Sequence, residues 1–333
     1  MVEQLDEQTM NERLAAAHER IVALRSEISR AVVGQQRLID RLLVALLVRG
    51  HVLLEGVPGL AKTLLAKVLA SSVEGTFKRI QFTPDLLPAD LTGTLIFDPA
   101  RGIFTPRMGP IFANIVLADE INRAPAKVQS GLLEAMQERQ VTIGDATWAL
   151  PDPFMVIATQ NPIEQEGTYV LPEAQVDRFL MKVLVDYPER EQEEKMLAMY
   201  LDPASMEIDI RKILSLDDLE ALMAMVSRVH VDERIIRYIV AIVSATRDPR
   251  EGRIVRLREK IEFGASPRAS IALAHAAKGF AFLQGRGYVV PEDVKDVAPD
   301  VIRHRLIPTY EAVAERMTPD MMIREILGAV PVP

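Results

Sequence analysis

The sequence has no cysteine and few aromatic residues, which make up 5% of its 333 residues. The absence of cysteine excludes a disulfide scaffold, a thiolate metal site and a cysteine nucleophile. Long hydrophobic runs are absent as well: near the beginning the longest is Leu42–Val48, which is far too short to span a bilayer. The acidic, polar first residues differ from a signal peptide. We therefore expect a cytoplasmic protein without membrane insertion.

Positive charge is in deficit too. The chain has 39 lysines and arginines against 47 aspartates and glutamates, which gives a net charge of −8. Because binding along a phosphate backbone needs a basic surface, nucleic acid is not expected as the main partner. The composition that remains, 49% apolar and 26% charged, is that of an ordinary globular protein. The length predicts one large domain and one smaller domain.

Apolar spacing divides the chain into three parts. Apolar residues recur at helical intervals over residues 8–31, which predicts an N-terminal helical segment, 1–31. Over residues 32–187, short apolar strands alternate with helices, as in an α/β core whose mostly parallel sheet binds ligands beyond the strand carboxyl ends. Two predicted β-hairpins, at 94–105 and 140–149, interrupt this core. Over 188–333 we expect an all-α domain, with helices alone after Glu189.

A glycine-containing loop separates the first predicted core strand from a predicted helix. Its sequence is Gly56-Val57-Pro58-Gly59-Leu60-Ala61-Lys62-Thr63. Such a loop can aim backbone N–H groups at phosphates, with Lys62 on the β- and γ-phosphates and the Thr63 hydroxyl on Mg²⁺. Ala61 stands where the usual pattern has glycine, and a methyl group is tolerable there because the position enters the helix. A strand-to-helix turn without a ligand is the alternative interpretation.

Polar residues follow two further predicted strands. Asp119 and Glu120 end the apolar run 115–118, where Asp119 suits Mg²⁺ coordination and Glu120 suits polarisation of the attacking water. A solvated acidic turn is the alternative. Asn161 ends the next strand and could orient that water through its amide, although an Asn-Pro turn with Pro162 explains it almost as well.

Two arginines are further candidates. Arg178 lies just before the last predicted strand, and its planar donor fork could stabilise charge on a γ-phosphate. Its alternative is a surface ion pair with Asp177 or a nearby glutamate. Arg268 follows Ser266 and Pro267 in the first turn of a predicted helix, where the helix dipole disfavours a cation. A residue that breaks a local rule in this way often belongs to a functional site.

Taken in order, these segments resemble the MoxR family of AAA+ ATPases over nearly the whole chain, starting at Val32-Val33-Gly34-Gln35. The resemblance implies an AAA+ P-loop NTPase core followed by an all-α lid, with ATP and Mg²⁺ bound between them. The segments that carry it are Gly56–Thr63, Gly109-Pro110-Ile111-Phe112-Ala113-Asn114, Asp119-Glu120-Ile121-Asn122-Arg123-Ala124, Ala158-Thr159-Gln160-Asn161-Pro162, and Glu166-Gly167-Thr168 through Asp177-Arg178-Phe179.

The resemblance also implies roles for single residues. Residues 56–63 and 119–120 correspond to Walker A and Walker B, and Asn161 to sensor 1. Gly34, Gln35 and Leu64 would be further nucleotide contacts. Arg178 would act as an arginine finger on the neighbouring subunit's ATP, and Arg268 as sensor 2 on its own, so the chain is expected to form a ring, most often a hexamer. Gln81 and Arg123 are candidates for the site without an assigned role.

By the same resemblance, the protein is expected to be a chaperone-like ATPase that remodels or activates a protein complex, with a von Willebrand factor A domain protein as partner. The hairpins would face a central pore or a partner through Phe97, Ile103, Phe104 and Trp148, although packing within each hairpin explains these residues at least as well. The motor of a metal chelatase and a nucleotide-gated scaffold with little hydrolysis are the alternative functions. A DNA translocase is disfavoured by the acidic composition.

Overall fold

The computed structural model describes residues 2–57, 59–60, 62–162, 168–201, 209–249 and 254–333. Its centre is a sheet of five parallel strands. In chain order, the strands found in the described residues are β1 (Val52–Glu55), β2 (Phe77–Gln81), β3 (Gly93–Asp98), β4 (Ile103–Met108), β5 (Ile115–Asp119), β6 (Gln140–Ile143), β7 (Ala146–Ala149), β8 (Met155–Gln160), β9 (Met181–Leu184), β10 (Ile261–Phe263) and β11 (Ile307–Pro308).

Helices cover the sheet and make up most of the region that follows it. None of them, over the described residues, combines the length and the hydropathy needed to cross a membrane. The α-helices are α1 (Val2–Ala31), α2 (Gln36–Leu47), α3 (Lys62–Ser72), α4 (Pro88–Thr92), α5 (Ala126–Glu138), α6 (Glu173–Val176), α7 (Arg190–Leu201), α8 (Leu216–Ser227), α9 (Glu233–Arg247), α10 (Pro267–Leu283), α11 (Pro291–Ile302), α12 (Tyr310–Ala314) and α13 (Pro319–Ala329), and 3-10 turns lie at Ile121–Arg123, Val255–Leu257 and Arg303–Arg305.

The sheet confirms the predicted α/β core. Its strand order is β2-β5-β8-β1-β9, so β5 and β8 are neighbours and β1 lies between β8 and β9. Because all five strands run in the same direction, their carboxyl ends meet at one edge. Ala118 of β5 pairs with Ala158 of β8, and Glu55 of β1 pairs with Gln160 of β8. The residues that directly follow these three strands therefore lie side by side.

The two faces of the sheet pack against different parts of the chain. Val116 and Val156 contribute to a buried cluster with Leu132 of α5. Their neighbours Leu117 and Ile157 point to the opposite face and join a larger buried cluster with residues of α2, α3 and the helices after β9. Burial on both faces explains why these strands are continuous apolar runs rather than alternating ones.

The region after β9 is a helical lid. The predicted helix start at Ser266 is confirmed, because the Ser266 hydroxyl accepts from the Arg268 amide at 3.2 Å at the beginning of α10. Thr318 caps α13 by accepting from the Met321 amide at 3.3 Å. The expectation of helices alone after Glu189 is corrected, because β10 and β11 form an antiparallel ribbon within the lid. A strand of three residues has too few alternating positions for a period of two to be recognised in sequence.

A buried ion cluster joins the core to the lid. Arg41 of α2 donates to Asp300 of α11 at 2.6 Å, and their side chains are 2% and 1% exposed. Arg303 also pairs with Asp300 and with Asp320 of α13. Although burial alone would raise the pKa of Asp300, the surrounding arginines more than offset it and lower that pKa below its usual value. Buried ion pairs thus attach the lid to the core, and water screens their charges only weakly.

Candidate active site

The phosphate-loop candidate lies between β1 and α3, as predicted. Gly59 has a φ of +89°, a left-handed conformation that glycine adopts without strain. The Lys62 ammonium donates to the Gly56 carbonyl at 2.6 Å, which folds the lysine back over the loop. Pro58 and Ala61 lie outside the described residues. The loop thus combines a glycine turn with a helix N-terminus, which is the arrangement that binds phosphate.

The two glycines of the loop have different surroundings. A Cβ on Gly56 would lie 2.5 Å from the Val185 carbonyl oxygen, so this position tolerates no side chain. A Cβ on Gly59 would meet no atom within 4 Å. One end of the loop is therefore pressed against the segment after β9, whereas its turn faces open space.

One hydroxyl fixes both candidate carboxylate positions at the end of β5. Thr159 donates to Asp119 Oδ1 at 2.6 Å, and its oxygen accepts from the Glu120 backbone amide at 2.8 Å. Glu120 has a φ of 56° and a ψ of 51°, a left-handed conformation that costs a non-glycine residue about 1–3 kcal/mol. The bond that the Glu120 amide donates to Thr159 and the bond that the Glu120 carbonyl accepts from the Arg123 amide at 2.9 Å hold it there.

Basic and amide side chains surround the two carboxylates. Arg79 of β2 donates twice to Asp119 Oδ2, at 2.6 and 3.0 Å. Gln81 donates to Glu120 Oε2 at 2.8 Å, and Arg123 pairs with the same oxygen at 3.0 Å. The register of β2 on β5 explains this, because Gln81 pairs directly with Asp119. In this arrangement each carboxylate already has a positive partner.

The charges of the loop and of the strand end are coupled. Burial lowers the pKa of Lys62, and the carboxylates of Asp119 and Glu120 oppose that shift. Lys62 is thus near enough to both acids for their charges to act on it. A phosphate chain placed between them would meet a cation on one side and metal-binding carboxylate oxygen on the other.

The donor set fits Mg²⁺ only together with phosphate oxygens. Thr63 lies in the first turn of α3, and its hydroxyl and the Asp119 carboxylate are the hard oxygen ligands that Mg²⁺ takes. Among the described residues, no group of three or more acidic or histidine side chains could hold a metal ion alone. Nucleotide sites typically bind Mg²⁺ through one or two protein ligands plus phosphates and water, which matches this set.

The remaining core candidate is Asn161. It directly follows β8 and is buried, 7% exposed, next to the strand end that carries the carboxylates. Its position beside Asp119 and Glu120 follows from the pairing of β5 with β8. The structure thus brings together Lys62, Asp119, Glu120 and Asn161 on one edge of the sheet.

Among the described residues, the side chains of the two candidate arginines, Arg178 and Arg268, make no hydrogen bond with the residues at that edge. Arg268 pairs through Nη1 with Asp177 Oδ2 at 3.4 Å, so the cation at the start of α10 has a carboxylate partner from the core. Asp177 also accepts from Arg305 at 2.6 Å. An ion pair of Arg178 with Asp177 or with a nearby glutamate, the alternative interpretation, is not found among the described residues, and the two oxygens of Asp177 accept from these two lid arginines instead.

The other candidate nucleotide contacts lie around the loop and the lid. A Cβ on Gly34, whose φ is +78°, would meet the Gln192 side chain of α7 at 2.6 Å, so this turn abuts the helix that follows the core. Gln35 precedes α2, Val57 packs on the core and Leu60 is buried, whereas Leu64 is exposed on α3. Glu166 and Gly167 lie outside the described residues.

Both predicted hairpins are present, β3 with β4 and β6 with β7. Phe97 and Phe104 face each other with ring centroids 5.2 Å apart, yet remain 50% and 64% exposed. Ile103 and Trp148 are exposed as well. The two phenylalanines therefore pack against each other within their hairpin and at the same time leave an apolar surface exposed.

Some site residues have no clear signal in the sequence. Thr159 and Arg79 contact the carboxylates directly, but a threonine or an arginine on a strand has no distinctive pattern. Only the position of Thr159 opposite Asp119, after the strands are paired, points to it. Arg305 belongs to no motif and becomes visible only through its contacts with Asp177.

Comparisons with known proteins agree with this geometry. The chain matches the family described as "ATPase family associated with various cellular activities (AAA)" over residues 51–181, and the AAA lid domain over residues 254–326. It is 50% identical over 308 residues to Chaperone MoxR1 of Mycobacterium tuberculosis, covering 92% of this chain and 81% of that protein. Protein MoxR of Methylorubrum extorquens is 32% identical over 326 residues, covering 92% and 93%. The crystal structure of a proposed ATPase from Cytophaga hutchinsonii superimposes with a TM-score of 0.92 at 46% identity, covering 99% of both chains.

Proposed function

Because this chain belongs to the MoxR family of AAA+ ATPases, we propose that it binds ATP at residues 56–63 and hydrolyses it to ADP and phosphate. The observation that carries the proposal is at the end of β5, where Thr159 fixes Asp119 and Glu120 within electrostatic reach of Lys62. A cation for the phosphates, a carboxylate for a metal and a second carboxylate for water are the parts that phosphoryl transfer to water requires.

The phosphate-binding residues exchange their present partners for the nucleotide. Lys62 leaves the Gly56 carbonyl and donates to the β- and γ-phosphates. Thr63 and Asp119 would hold Mg²⁺, which would neutralise charge on the phosphates. Asp119 first has to release Arg79, which occupies one of its oxygens. The resting ion pair orients the carboxylate until the nucleotide arrives.

Glu120 and Asn161 act on the water. Glu120 polarises the attacking water and takes its proton. Gln81 and Arg123 hold its carboxylate in the resting site. Asn161, buried at the end of the neighbouring strand, orients the water through its side-chain amide.

The two arginines serve different subunits of a ring, which we propose to be a hexamer. Arg178 stabilises the charge on the γ-phosphate of the neighbouring subunit, and Arg268 turns to the nucleotide of its own subunit. The absence of any ion pair or side-chain hydrogen bond of Arg178 among the described residues supports its availability to a second chain. An arginine supplied in trans raises the rate by roughly 10³–10⁵ in related phosphoryl-transfer systems.

The proposal includes a division of the chain into an N-terminal helical segment, 1–31, an AAA+ core, 32–187, and a lid, 188–333. The family matches support it, because residues 51–181 and 254–326 fall inside the second and third parts. It places the ATP between core and lid, where Arg268 of the lid already contacts Asp177 of the core.

We propose that the ring remodels or activates a protein complex in the cytoplasm, together with a von Willebrand factor A domain partner. The relative named Chaperone MoxR1, 50% identical, supports a chaperone-like role. The exposed Phe97 and Phe104 of the first hairpin offer an apolar surface for a protein partner. Pull-down of a tagged von Willebrand factor A domain protein by the parent, but not by a Phe97→Ser/Phe104→Ser variant, is the expected result.

The test of the shared site is ATP hydrolysis as a function of protein concentration, with Mg²⁺. We expect the specific activity of the parent to rise with concentration as subunits assemble. Lys62→Ala and Arg178→Ala should each be nearly inactive alone, and their mixture should recover part of the parent activity. Recovery is expected because the Lys62→Ala subunit still supplies Arg178 to an intact site in the Arg178→Ala subunit.

A second mixture provides the control. Lys62→Ala mixed with Glu120→Gln should not recover activity, because neither subunit then has an intact site, although both carry Arg178. Specific activity that is independent of concentration, together with no recovery in the first mixture, would show that each subunit works alone and would overturn the trans role of Arg178.

A further inference from the structure

One short turn of the lid is made only of basic residues, and all three contact the core backbone. This basic turn, Arg303–Arg305, follows α11. Arg303 donates to the Lys182 carbonyl, His304 to the Phe179 carbonyl at 3.2 Å and Arg305 to the Leu180 carbonyl at 3.2 Å. The basic turn therefore binds the backbone of residues 179–182, at the start of β9. These contacts are side-chain hydrogen bonds and not strand pairing.

Arg305 uses every donor that it has. A guanidinium carries five N–H groups, and the buried Arg305 makes five hydrogen bonds. Four acceptors lie in residues 177–180: Asp177 Oδ1 at 2.6 Å, the Asp177 carbonyl at 2.9 Å, the Phe179 carbonyl at 2.7 Å and the Leu180 carbonyl at 3.2 Å. The fifth is the Val301 carbonyl within the lid. A single side chain thus ties four atoms of the core to the end of α11.

Arg178 lies in the middle of the segment that Arg305 holds. The carbonyls of its neighbours on both sides, Asp177 and Phe179, accept from Arg305, and the Phe179 ring is fully buried. The Arg178 amide donates to the Gln175 carbonyl at 3.2 Å. The backbone of Arg178 is therefore fixed on both sides. Because the half-buried side chain extends from this backbone, the same hydrogen bonds set its direction.

Asp177 links the same segment to a second lid residue. Its Oδ1 accepts from Arg305 and its Oδ2 pairs with Arg268 at 3.4 Å. The Arg268 side chain is 51% exposed, so this pair is the weaker of the two, whereas the Arg305 side chain is 3% exposed. If Arg268 turns to the nucleotide, Asp177 keeps its buried partner, and the segment stays attached to the lid.

We infer that Arg305 is the positioning residue for Arg178, and that through it the lid of one subunit sets the reach of Arg178 into the next subunit's ATP site. The inference rests on the proposed function, in which Arg178 acts in trans. Its consequence is a mechanical link between subunits. When the lid moves in response to the nucleotide of its own subunit, it carries residues 177–180 with it. The movement therefore changes the hydrolysis rate in the neighbouring subunit rather than in its own site.

Arg305→Lys is the sharpest substitution, because it keeps the charge and most of the volume but loses the planar fork. A lysine has three donors and cannot meet four core acceptors at once. Arg286→Lys is the matched control: Arg286 is likewise a lid arginine paired with a carboxylate, that of Asp293, but among the described residues it makes no hydrogen bond or ion pair with residues 177–180.

The experiment places Arg305→Lys in one member of the rescuing mixture at a time. In the donor, the Lys62→Ala subunit that supplies Arg178, it should lower the recovered ATPase rate about 10–100-fold, since a misplacement of about 1 Å costs on this order. In the acceptor, which already carries Arg178→Ala, it should change the rate by about twofold or less. Arg286→Lys should lower the rate in neither placement.

The two placements separate positioning from folding. A similar loss in donor and acceptor, or no loss in the donor, would overturn the inference. If the mixture without Arg305→Lys shows no recovery, the trans role of Arg178 fails, and the inference fails with it. Should Arg305→Lys not fold, Asp177→Asn serves instead, because it keeps the shape of the side chain but removes its charge from Arg305. It should produce a loss in the donor alone, and an equal loss in both placements would again reject positioning.

Discussion

The sheet edge and the lid junction both hold charged residues in place, but by different means. At the sheet edge, Asp119 and Glu120 are fixed by Thr159 of the neighbouring strand, so their positions follow from strand pairing. At the lid junction, Arg305 reaches Asp177, which is 128 residues away in sequence. The two carboxylates proposed for the chain's own ATP are thus positioned within the core alone, whereas the position of Arg178, which is proposed to act on the neighbour's ATP, depends on both core and lid.

Coupling between subunits is expected at the lid junction and not at the sheet edge. A sheet edge keeps its geometry when the lid moves, because its hydrogen bonds are internal to the core. At the lid junction, where Arg305 contacts residues 177–180, the hydrogen bonds run from lid to core, so these core residues follow the lid when it moves. Residues that perform the chemical step are therefore expected to give large, local effects, and residues at the junction to give effects that depend on the neighbouring subunit.

The largest effect is expected from Glu120→Gln at the sheet edge. The amide keeps the shape of the side chain but cannot take a proton from water, so turnover should fall about 10²–10⁴-fold. ATP affinity should stay within about threefold of the parent, because Lys62 and the loop are unchanged. Hydrolysis measured as phosphate release, together with equilibrium binding of labelled ATP, checks both values.

The control for this prediction is Glu134→Gln, since Glu134 is an exposed glutamate of α5 away from the strand ends. It should leave turnover unchanged. Turnover of Glu120→Gln close to that of the parent would remove the water-polarising role from Glu120 and weaken the distinction between the two regions, because the sheet edge would then lack its chemical centre.

The sequence was sufficient to predict the sheet edge. The apolar runs that became β1, β5 and β8 each end in polar residues, and parallel strands align those ends. Both hairpins were also predictable, because alternating residues flank turn sequences at 98–101 and 144–145. Local patterns are enough where strand direction alone decides which residues meet.

The lid junction could not be predicted in this way. Arg305 is one of 39 lysines and arginines and stands in no motif. Its role depends on how α11 packs against β9, which is a tertiary arrangement with no local signature. Arg79 was missed for a similar reason, because only the pairing of β2 with β5 places it on Asp119. The pair of Arg268 with Asp177 needed the lid orientation as well.

An intermediate effect is expected from His51, which lies in the core under the sheet. Its Nδ1 accepts from the Val156 amide at 3.0 Å and its Nε2 donates to the Met136 carbonyl at 3.2 Å. Burial lowers the pKa of His51 to about 4 from 6.5. Because the unfolded state binds the proton more tightly, the stabilisation from neutral His51 is complete above pH 6.5 and is lost as the pH falls to about 4. The loss should be about 3 kcal/mol.

Urea unfolding of the parent and of His51→Gln at pH 7 and pH 4 checks this value. Subtracting the two changes removes the contribution of the other acids and of His304, whose pKa burial also lowers. The parent should lose about 3 kcal/mol more than the variant. Equal losses would mean that His51 does not titrate with unfolding, and that acid sensitivity arises at the lid junction instead of in the sheet core.

The smallest effect is expected from Arg79→Gln. Arg79 occupies Asp119 Oδ2 and so competes with Mg²⁺ for that oxygen. Its side chain is 49% exposed, and ion pairs screened by solvent contribute about 0.2–1 kcal/mol. Removing the competitor should therefore lower the Mg²⁺ concentration for half-maximal hydrolysis about 1.5- to 5-fold.

Arg101→Gln, in the exposed turn of the first hairpin, is the control and should not shift this Mg²⁺ concentration. A half-maximal concentration that stays constant or rises in Arg79→Gln would show that Arg79 does not compete with the metal, and that the sheet edge is preorganised for Mg²⁺ without any exchange of partners.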